Sequence, residues 1–540
     1  MIAKLKATGR LWAELAATVV SSGILSPAHP RVLAEVKRAL GKWGPTQAAG
    51  YAISAVRFPD EAAIADELGR LTNREVHERT NQLAHALREH GVTDSSRVAI
   101  LCRNHRGFIE AFVATLKNGS DALLLNTAFA GPQLVQVIED QNADAVIMDD
   151  EFIPLLDGAL EGRPAFVAWH DSDDLPFKTI DQLREGRSIA EPPKPSRTGR
   201  TIILTSGTTG KPKGAARAEP KGVKGILAVA SIIPYHHRDR MLVAAPLFHT
   251  WGFANFSANL TFNGTTVLRR RFDPEDVLRT IERERIDMLA VVPVMLQRLL
   301  DLPPEIRRRY NVGSLKAVAA SGSALPGDLA TEFMDEFGDV LYNLYGSTEV
   351  AWATIATPAD MRAAPGTAGR VPRGTIVRVL SEDREQQPAG EPGQVFVKND
   401  MIFEGYTGGE QANAYADMVG TGDIGHFDAD GRLFIDGRID DMIISGGENV
   451  YPIEVEDVIV THEGVHEAAV IGVDDAQFGA RLKAFVVPRN GSDLTADDLK
   501  NHVKERLARF KVPREIVFVD ELPRNATGKI LKRELREHAG

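Results

Sequence analysis

The chain has 540 residues, a formal charge of −11, 43% hydrophobic and 25% charged residues, and one cysteine. This composition excludes disordered, collagenous and disulfide-stapled proteins, and the length predicts two to four domains. The acidic balance argues against a nucleic-acid partner, and the lone Cys102 excludes an internal disulfide and a cysteine-based zinc site.

The N-terminus is the strongest candidate for a targeting or membrane segment. Lys4, Lys6 and Arg10 precede an apolar stretch, as in a signal peptide. Glu14 interrupts that stretch, and no segment reaches the ~20 apolar residues that span a bilayer. We therefore predict an amphipathic helix packed on a cytoplasmic protein, with a weak membrane-surface contact as the alternative. Self-association into a homo-oligomer is left open.

Hydrophobic patterning predicts the fold class in chain order. Between residues 96 and 320, short β-branched runs alternate with helical stretches, one of them opened by Asp273 and Pro274. Such alternation indicates largely parallel sheets covered by helices. After about residue 368, hairpin-like runs predict a small antiparallel β-barrel subdomain, and the last ~100 residues predict a compact α+β unit. The segment 191–200, rich in Pro, Lys and Arg, is interpreted as a surface linker.

Residues 202–214, IILTSGTTGKPKG, join a β-run to a loop rich in glycine, hydroxyls and lysine. Glycines let successive backbone N–H groups converge on an anion, while hydroxyls and lysines add donors and charge. The loop is not a Walker loop, because Pro212 follows Lys211 where Ser or Thr is required. We predict that it holds phosphate through Thr205, Ser206, Gly207, Thr208, Thr209, Gly210, Lys211 and Lys213.

Further motifs follow in order: SGSALP at 321–326, YGSTE at 345–349, TGD at 421–423, GRIDDMIISGGENVYPIEVE at 437–456 and PRNATGKILKREL at 523–535. With the SGTTGKPKG loop, they resemble the adenylate-forming superfamily of acyl-CoA synthetases, nonribosomal peptide synthetase adenylation domains and firefly luciferase. The chain is most similar to bacterial AMP-forming fatty acyl-CoA synthetases. The resemblance implies an α/β N-terminal body, residues 1–439, that binds AMP and the acyl group. It also implies a small mobile α+β C-terminal lid, residues 440–540, with its hinge at Asp440.

The resemblance also assigns an ATP site, with Mg²⁺ bound alongside ATP. Lys529 bridges the substrate carboxylate and the α-phosphate, and Glu349 with Thr205 binds Mg²⁺. Asp423 and Arg438 contact the ribose hydroxyls. The remaining nucleotide contacts are assigned to Gly322, Ser323, Ala324, Tyr345, Gly346 and Thr348.

A second set of residues is implied for coenzyme A and the acyl group. The hinge and the pantetheine-facing loop match Asp440, Ser445, Gly446 and Gly447. His249 matches a histidine near the acyl carboxylate. Three nearby aromatic residues are open to two interpretations, acyl-tunnel lining or plain core: Trp251, Phe253 and Phe256.

The leading prediction is an AMP-forming acyl-CoA synthetase that acts on medium- or long-chain fatty acids. It would convert ATP and a fatty acid to acyl-AMP and pyrophosphate, and then acyl-AMP and CoA to acyl-CoA and AMP. The first alternative is an aryl-CoA ligase, or an acyl-AMP ligase that loads a carrier protein. A non-catalytic nucleotide or fatty-acid sensor is the alternative from another class, and retention of Lys529 and Glu349 argues against it.

Overall fold

A computed structural model of the chain describes residues 30–156, 158–205, 213–216, 224–347, 350–399, 414–445, 448–475, 479–489, 491–525 and 528–537. The predicted N-terminal amphipathic helix lies outside these ranges. Within them, no helix is long and apolar enough to cross a membrane.

The first part of the chain builds one sheet and starts a second. Its elements are α1 (Pro30–Trp43), α2 (Gln47–Arg57), β1 (Ala62–Asp66), β2 (Gly69–Thr72), α3 (Asn73–Glu89), β3 (Arg97–Leu101), α4 (Arg106–Lys117), β4 (Asp121–Leu124), α5 (Gly131–Asp140), β5 (Ala145–Asp149), β6 (Ala165–Trp169), α6 (Ile180–Arg184), β7 (Thr201–Thr205), β8 (Lys213–Ala216) and α7 (Lys224–Ala230). Six of these strands form a sheet in the order β6-β5-β3-β4-β7-β8, parallel except for β8.

The middle of the chain completes a second, larger sheet. Its elements are β9 (Arg240–Val243), α8 (Thr250–Thr261), β10 (Thr265–Val267), α9 (Pro274–Glu284), β11 (Met288–Val291), α10 (Pro293–Leu300), α11 (Pro304–Arg307), β12 (Ala317–Ala320), α12 (Gly327–Phe337), β13 (Leu341–Tyr345), β14 (Thr354–Ala356) and α13 (Pro358–Ala363). The strand order is β14-β13-β12-β11-β9-β10-β1-β2, and only the two edge strands are antiparallel to their neighbours.

The last part of the chain forms two smaller sheets. Its elements are β15 (Ile376–Leu380), β16 (Gly393–Lys398), β17 (Ala414–Tyr415), β18 (Met418–Phe427), β19 (Leu433–Arg438), β20 (Ile443–Ser445), β21 (Glu448–Val450), α14 (Pro452–Val460), β22 (Val465–Asp475), β23 (Gly479–Pro488), α15 (Ala496–Arg506), β24 (Glu515–Phe518) and α16 (Lys532–Glu537). Strands β15–β19 pair antiparallel, whereas β20–β24 pair only with one another.

The predicted fold class is confirmed. Two helix-covered, mostly parallel sheets, one antiparallel sheet and a small C-terminal α+β unit follow in the predicted order. Local signals explain several boundaries: Asp273 accepts the N–H of Asp276 and Pro274 occupies the first turn of α9. The apolar runs become strands buried on both faces, as in β12.

The segment 191–200 is not a free surface linker. Glu191 accepts hydrogen bonds from Arg38 and Lys42 of α1. Gly199 lies so close to β4 that a Cβ there would sit 2.1 Å from the carbonyl oxygen of Ser120. The segment therefore fastens α1 to the first sheet. The sequence did not predict these contacts, because charged residues in ion pairs and charged residues in solvent give the same composition.

Candidate active site

Several predicted site residues of the N-terminal body lie at one edge of the eight-stranded sheet. Strands β9, β11, β12 and β13 pair in parallel, so their carboxyl ends lie side by side. The segments that leave these ends are residues 244–249, 292, 321–324 and 346–347. In open α/β sheets, loops at the carboxyl edge form the ligand crevice.

Tyr345 and Asp423 join the eight-stranded sheet to the antiparallel sheet. Tyr345 ends β13, and its hydroxyl donates a hydrogen bond to the Asp423 carboxylate and lies 3.1 Å from Oγ1 of Thr421. Arg438 Nη1 lies 3.1 Å from the other Asp423 oxygen. Burial and then the charge of Asp423 raise the pKa of Tyr345 well above its usual value, so the phenol is a neutral donor.

The environment of Asp423 favours a carboxylate that is paired rather than solvated. Burial raises the pKa of Asp423, while Arg438 and the hydrogen bond from Tyr345 act in the opposite direction. Its side chain is buried, and two donors engage it from different strands. A carboxylate fixed in this way is a ready acceptor for the vicinal hydroxyls of a sugar.

The C-terminal domain brings Lys529 to the same place. Desolvation of the ammonium group and then the charge of Arg438 lower the pKa of Lys529, whereas Asp441 and Asp423 raise it. The backbone N–H of Lys529 donates to Oδ1 of Asn525 over 2.9 Å, and Asn525 N–H donates back to the Lys529 carbonyl. A lysine from the last 15 residues thus lies within the electrostatic field of the Asp423–Arg438 pair.

His249 precedes α8 at the carboxyl edge of β9. Burial lowers its pKa to about 4, so the imidazole is neutral near pH 7. Trp251, two residues further on, lies half-buried and donates its indole N–H to the Val291 carbonyl over 2.9 Å. Phe256 is fully buried against Tyr51, which assigns it to the core.

The adenine-side segment and the residues after β13 also lie at this edge. Gly322 and Ala324 are exposed and Ser323 is half-buried. Gly346 approaches the chain so closely that a Cβ would sit 2.4 Å from the Ala351 carbonyl oxygen. The neighbouring Ser347 hydroxyl is buried, without a hydrogen-bond partner among the described residues.

Several predicted site residues lie outside the described residues: Ser206, Gly207, Thr208, Thr209, Gly210, Lys211, Thr348, Glu349, Gly446 and Gly447. Thr205 and Lys213 are described by their backbones only, as partners in the β7–β8 pair at the mouth of the loop. Asp440 belongs to a 3₁₀ turn, Ile439–Asp441, and its carboxylate lies 3.8 Å from Arg438 Nη2. Ser445 is buried and ends β20.

The described side chains do not locate Mg²⁺. In the parts of the chain that the structure describes, one group of three candidate ligands lies close together: Cys102, His105 and Asp149. All three are fully buried, and Asp149 already accepts hydrogen bonds from His105 and from the backbone of Arg103. A thiol and an imidazole also do not suit a cation that prefers oxygen ligands.

Two residues near the site escaped the sequence analysis. Thr421 contacts the Tyr345 hydroxyl, and Asn525 fixes the backbone of Lys529. Both fall inside motifs that were recognised, TGD and PRNATGK, so their positions carried a signal. Their contacts did not, because each depends on tertiary structure.

The profile of the AMP-binding enzyme family matches residues 51–407, and that of the AMP-binding enzyme C-terminal domain matches residues 454–529. The chain belongs to the AMP-binding enzyme family.

Similar members of this AMP-binding enzyme family act on carboxylic acids. The chain is 33% identical over 496 residues to an indoleacetate–CoA ligase from Aromatoleum aromaticum, covering 90% of this chain and 94% of the relative. It is 33% identical over 494 residues to a feruloyl-CoA synthase from an Amycolatopsis species, covering 89% and 96%. The solved structure of o-succinylbenzoate CoA synthetase from Bacillus subtilis with its acyl-adenylate superimposes with a TM-score of 0.78 at 28% identity, covering 90% of this chain and 97% of that one.

These relatives establish the reaction class of this AMP-binding enzyme. It is an ATP-dependent, AMP-forming acid–thiol ligase that makes CoA thioesters, with ATP, CoA and Mg²⁺ as its reactants and cofactor. A non-catalytic sensor is therefore the wrong alternative.

Proposed function

We propose that this ligase activates an aromatic carboxylic acid as its CoA thioester. The proposal rests on the acids that its relatives activate, which are indoleacetate, ferulate and 2-succinylbenzoate. The fatty-acid specificity predicted first has no such support.

The first half-reaction joins the acid to AMP. A carboxylate oxygen attacks the α-phosphorus of ATP, and pyrophosphate leaves with the electron pair of the broken P–O bond. Asp423 binds the ribose hydroxyls, and Lys529 neutralises charge between the carboxylate and the α-phosphate. Mg²⁺ supplies charge neutralisation on the phosphates when bound, with Glu349 and Thr205 as its proposed ligands.

The second half-reaction transfers the acyl group. The CoA sulfur attacks the acyl carbonyl carbon, and AMP leaves with the electron pair of the C–O bond. His249 is neutral because burial lowers its pKa to about 4, and so low a pKa makes it a weak base. Its imidazole is therefore suited to orient the acyl carbonyl as a hydrogen-bond donor, while the thiol proton passes to solvent. The residues 440–447 are assigned to the hinge and to the pantetheine approach.

A panel of acids tests the substrate class. The purified enzyme is incubated with ATP, Mg²⁺ and CoA, and AMP release and thioester formation are measured for indoleacetate, ferulate, benzoate, 2-succinylbenzoate and saturated fatty acids of increasing chain length. We expect kcat/KM for the best aromatic acid to exceed that for every fatty acid by about tenfold or more. Preference for a fatty acid would refute the proposal, and adenylation without thioester formation would point to a carrier-protein acceptor.

A further inference from the structure

The Lys529 loop approaches the N-terminal body closely at Gly528. Gly528 has a φ of +76°, and a Cβ built on it would lie 2.3 Å from Cγ1 and 3.0 Å from Cβ of Val294. No real Cβ approaches another carbon so closely, so the glycine backbone itself rests on the Val294 side chain. Val292 is the N-cap of α10, and residues 292–294, the cap with the first two helical residues, form the docking turn.

Neither side of this contact has room to yield. In the loop, Gly528 N–H donates to the Asn525 carbonyl over 2.8 Å, and Arg524 binds both the Gly528 carbonyl and Glu467. In the docking turn, Val292 is 2% exposed and its carbonyl accepts the N–H of Met295. A close-packed contact between a braced glycine backbone and a side chain on a braced turn transmits size changes.

Two further contacts flank the docking turn and show that the domains meet over a surface. His466 of β22 faces Asp301 at the end of α10, with 4.0 Å between Nε2 and Oδ2. Asp457 of α14 lies near enough to Asp328 of α12 that, after burial and Glu456, this carboxylate helps to raise its pKa to about 6. The same face of the body, α10 with the start of α12, therefore receives the C-terminal domain.

We propose that the docking turn is the seat of the C-terminal domain in the state that forms the acyl-adenylate, and that Val294 sets how deeply Lys529 enters the site. Lys529 is bonded to Gly528, so any side chain that lifts Gly528 off Val294 also lifts the ammonium group away from Asp423. Val294 is thus a positioning residue that acts through Lys529. The inference rests on the proposed role of Lys529 in adenylation.

The test separates the two half-reactions. Val294→Phe should lower acid-dependent ATP–pyrophosphate exchange by about tenfold or more, and leave conversion of supplied acyl-adenylate to thioester within about twofold. Val56→Phe, the same change at an exposed valine of α2, serves as the matched control and should alter neither rate. Equal losses in both half-reactions would overturn the proposal.

A size exchange tests the contact itself. Gly528→Ala should also lower pyrophosphate exchange, partly by clash and partly because φ is positive there. Adding Val294→Ala removes the 2.3 Å clash with Cγ1 but leaves the 3.0 Å approach to Cβ and the backbone strain, so it should restore the lost rate in part, by about threefold or more. Absence of recovery would contradict a direct Gly528–Val294 contact.

Crosslinking yield measures how often the C-terminal domain is docked on the body, and the measurement needs no acid substrate. Asp301→Cys with His466→Cys places two thiols across the interface, and the native Cys102 is fully buried, so it does not compete. Val294→Phe should lower the yield with a short thiol crosslinker about threefold, and Val56→Phe should not. An unchanged crosslinking yield in Val294→Phe would refute the proposal that the C-terminal domain docks on this turn. If the enzyme did not activate aromatic acids, only the proposed substrate class would be refuted. The docking proposal would stand, because the crosslinking yield does not depend on the acid.

Discussion

The two carboxylate oxygens of Asp423 have different hydrogen-bond partners. Tyr345, from the end of β13, donates to one oxygen, and Arg438, from β19, lies 3.1 Å from the other. The phenol and the guanidinium thus fix the plane of the carboxylate before any ligand arrives. Preorganisation of this kind reduces the entropy lost on binding. The aromatic ring of Tyr345, which is assigned a nucleotide contact, and its hydroxyl, which positions Asp423, can therefore be tested separately.

Tyr345→Phe separates them. The ring is retained and the donor to a buried carboxylate is lost, a change worth about 1.5–3 kcal/mol for a hydrogen bond to a charged group. We expect KM for ATP to rise about tenfold, with a smaller change in kcat. The discrimination between ATP and 2′-deoxy-ATP should narrow, because the misaligned carboxylate reads the ribose less well. An unchanged ratio of the two KM values would show that the hydroxyl does not position Asp423.

At the scale of elements, α1 depends on a residue far along the chain. Glu191 accepts from Arg38 at Oε1 and from Lys42 at Oε2, and Oε1 also lies 3.5 Å from Nε2 of His77 in α3. Burial alone would raise the pKa of Glu191, but hydrogen bonds, the one from Arg38 foremost, hold it well below its usual range. The first helix is thus anchored by a carboxylate that is stabilised in its charged form.

Glu191→Gln should loosen α1. It leaves cations without their counter-charge, and we expect a loss of about 1–3 kcal/mol, seen as a lower first thermal transition and faster proteolysis near residue 43. Because the folded pKa of Glu191 is depressed, its contribution is present above its ordinary pKa of 4.5 and is lost as the pH falls below that value. Glu185→Gln, at an exposed position, is the control. A difference in stability between wild type and variant that did not shrink between pH 6 and pH 3 would contradict this account.

At the scale of the whole molecule, the candidate site combines residues from two sheets of the body and from the C-terminal unit. Tyr345 comes from the eight-stranded sheet, Asp423 and Arg438 from the antiparallel sheet, and Lys529 from the C-terminal unit. Only the last of these belongs to a part whose strands pair with no strand of the body. Lys529 is therefore the group that a movement of the C-terminal domain would remove.

Lys529→Ala should abolish adenylation and spare the conversion of supplied acyl-adenylate to acyl-CoA. Loss of a charge aimed at the reacting phosphate typically costs about 10²–10³ in rate. Because desolvation lowers the pKa of Lys529, wild-type pyrophosphate exchange should decline on the alkaline side below pH 10.5. Lys529→Arg should retain its charge through that range and lose the decline. Equal loss of both half-reactions in Lys529→Ala would contradict alternation of the C-terminal domain.

The fold was largely readable from local patterns. Strands such as β5 and β12 are continuous apolar runs, and Asp273 with Pro274 marks the start of α9, because strand burial and helix capping depend on neighbouring residues. The site was readable through its motifs, since glycines, hydroxyls and a lysine at fixed spacing have few other uses. The roles of Asp423 and Lys529 nevertheless rest on resemblance.

The sequence by itself determined the fold class, the order of the sheets along the chain and the family. Only the tertiary structure decided that Phe256 is core, that Glu191 anchors α1, and that Gly528 rests on Val294. Those outcomes depend on residues from 153 to 234 positions apart meeting in space, as Arg38 and Glu191 or Val294 and Gly528 do. Periodicity and motif spacing cannot encode such meetings, because they report only what lies within one element or one loop.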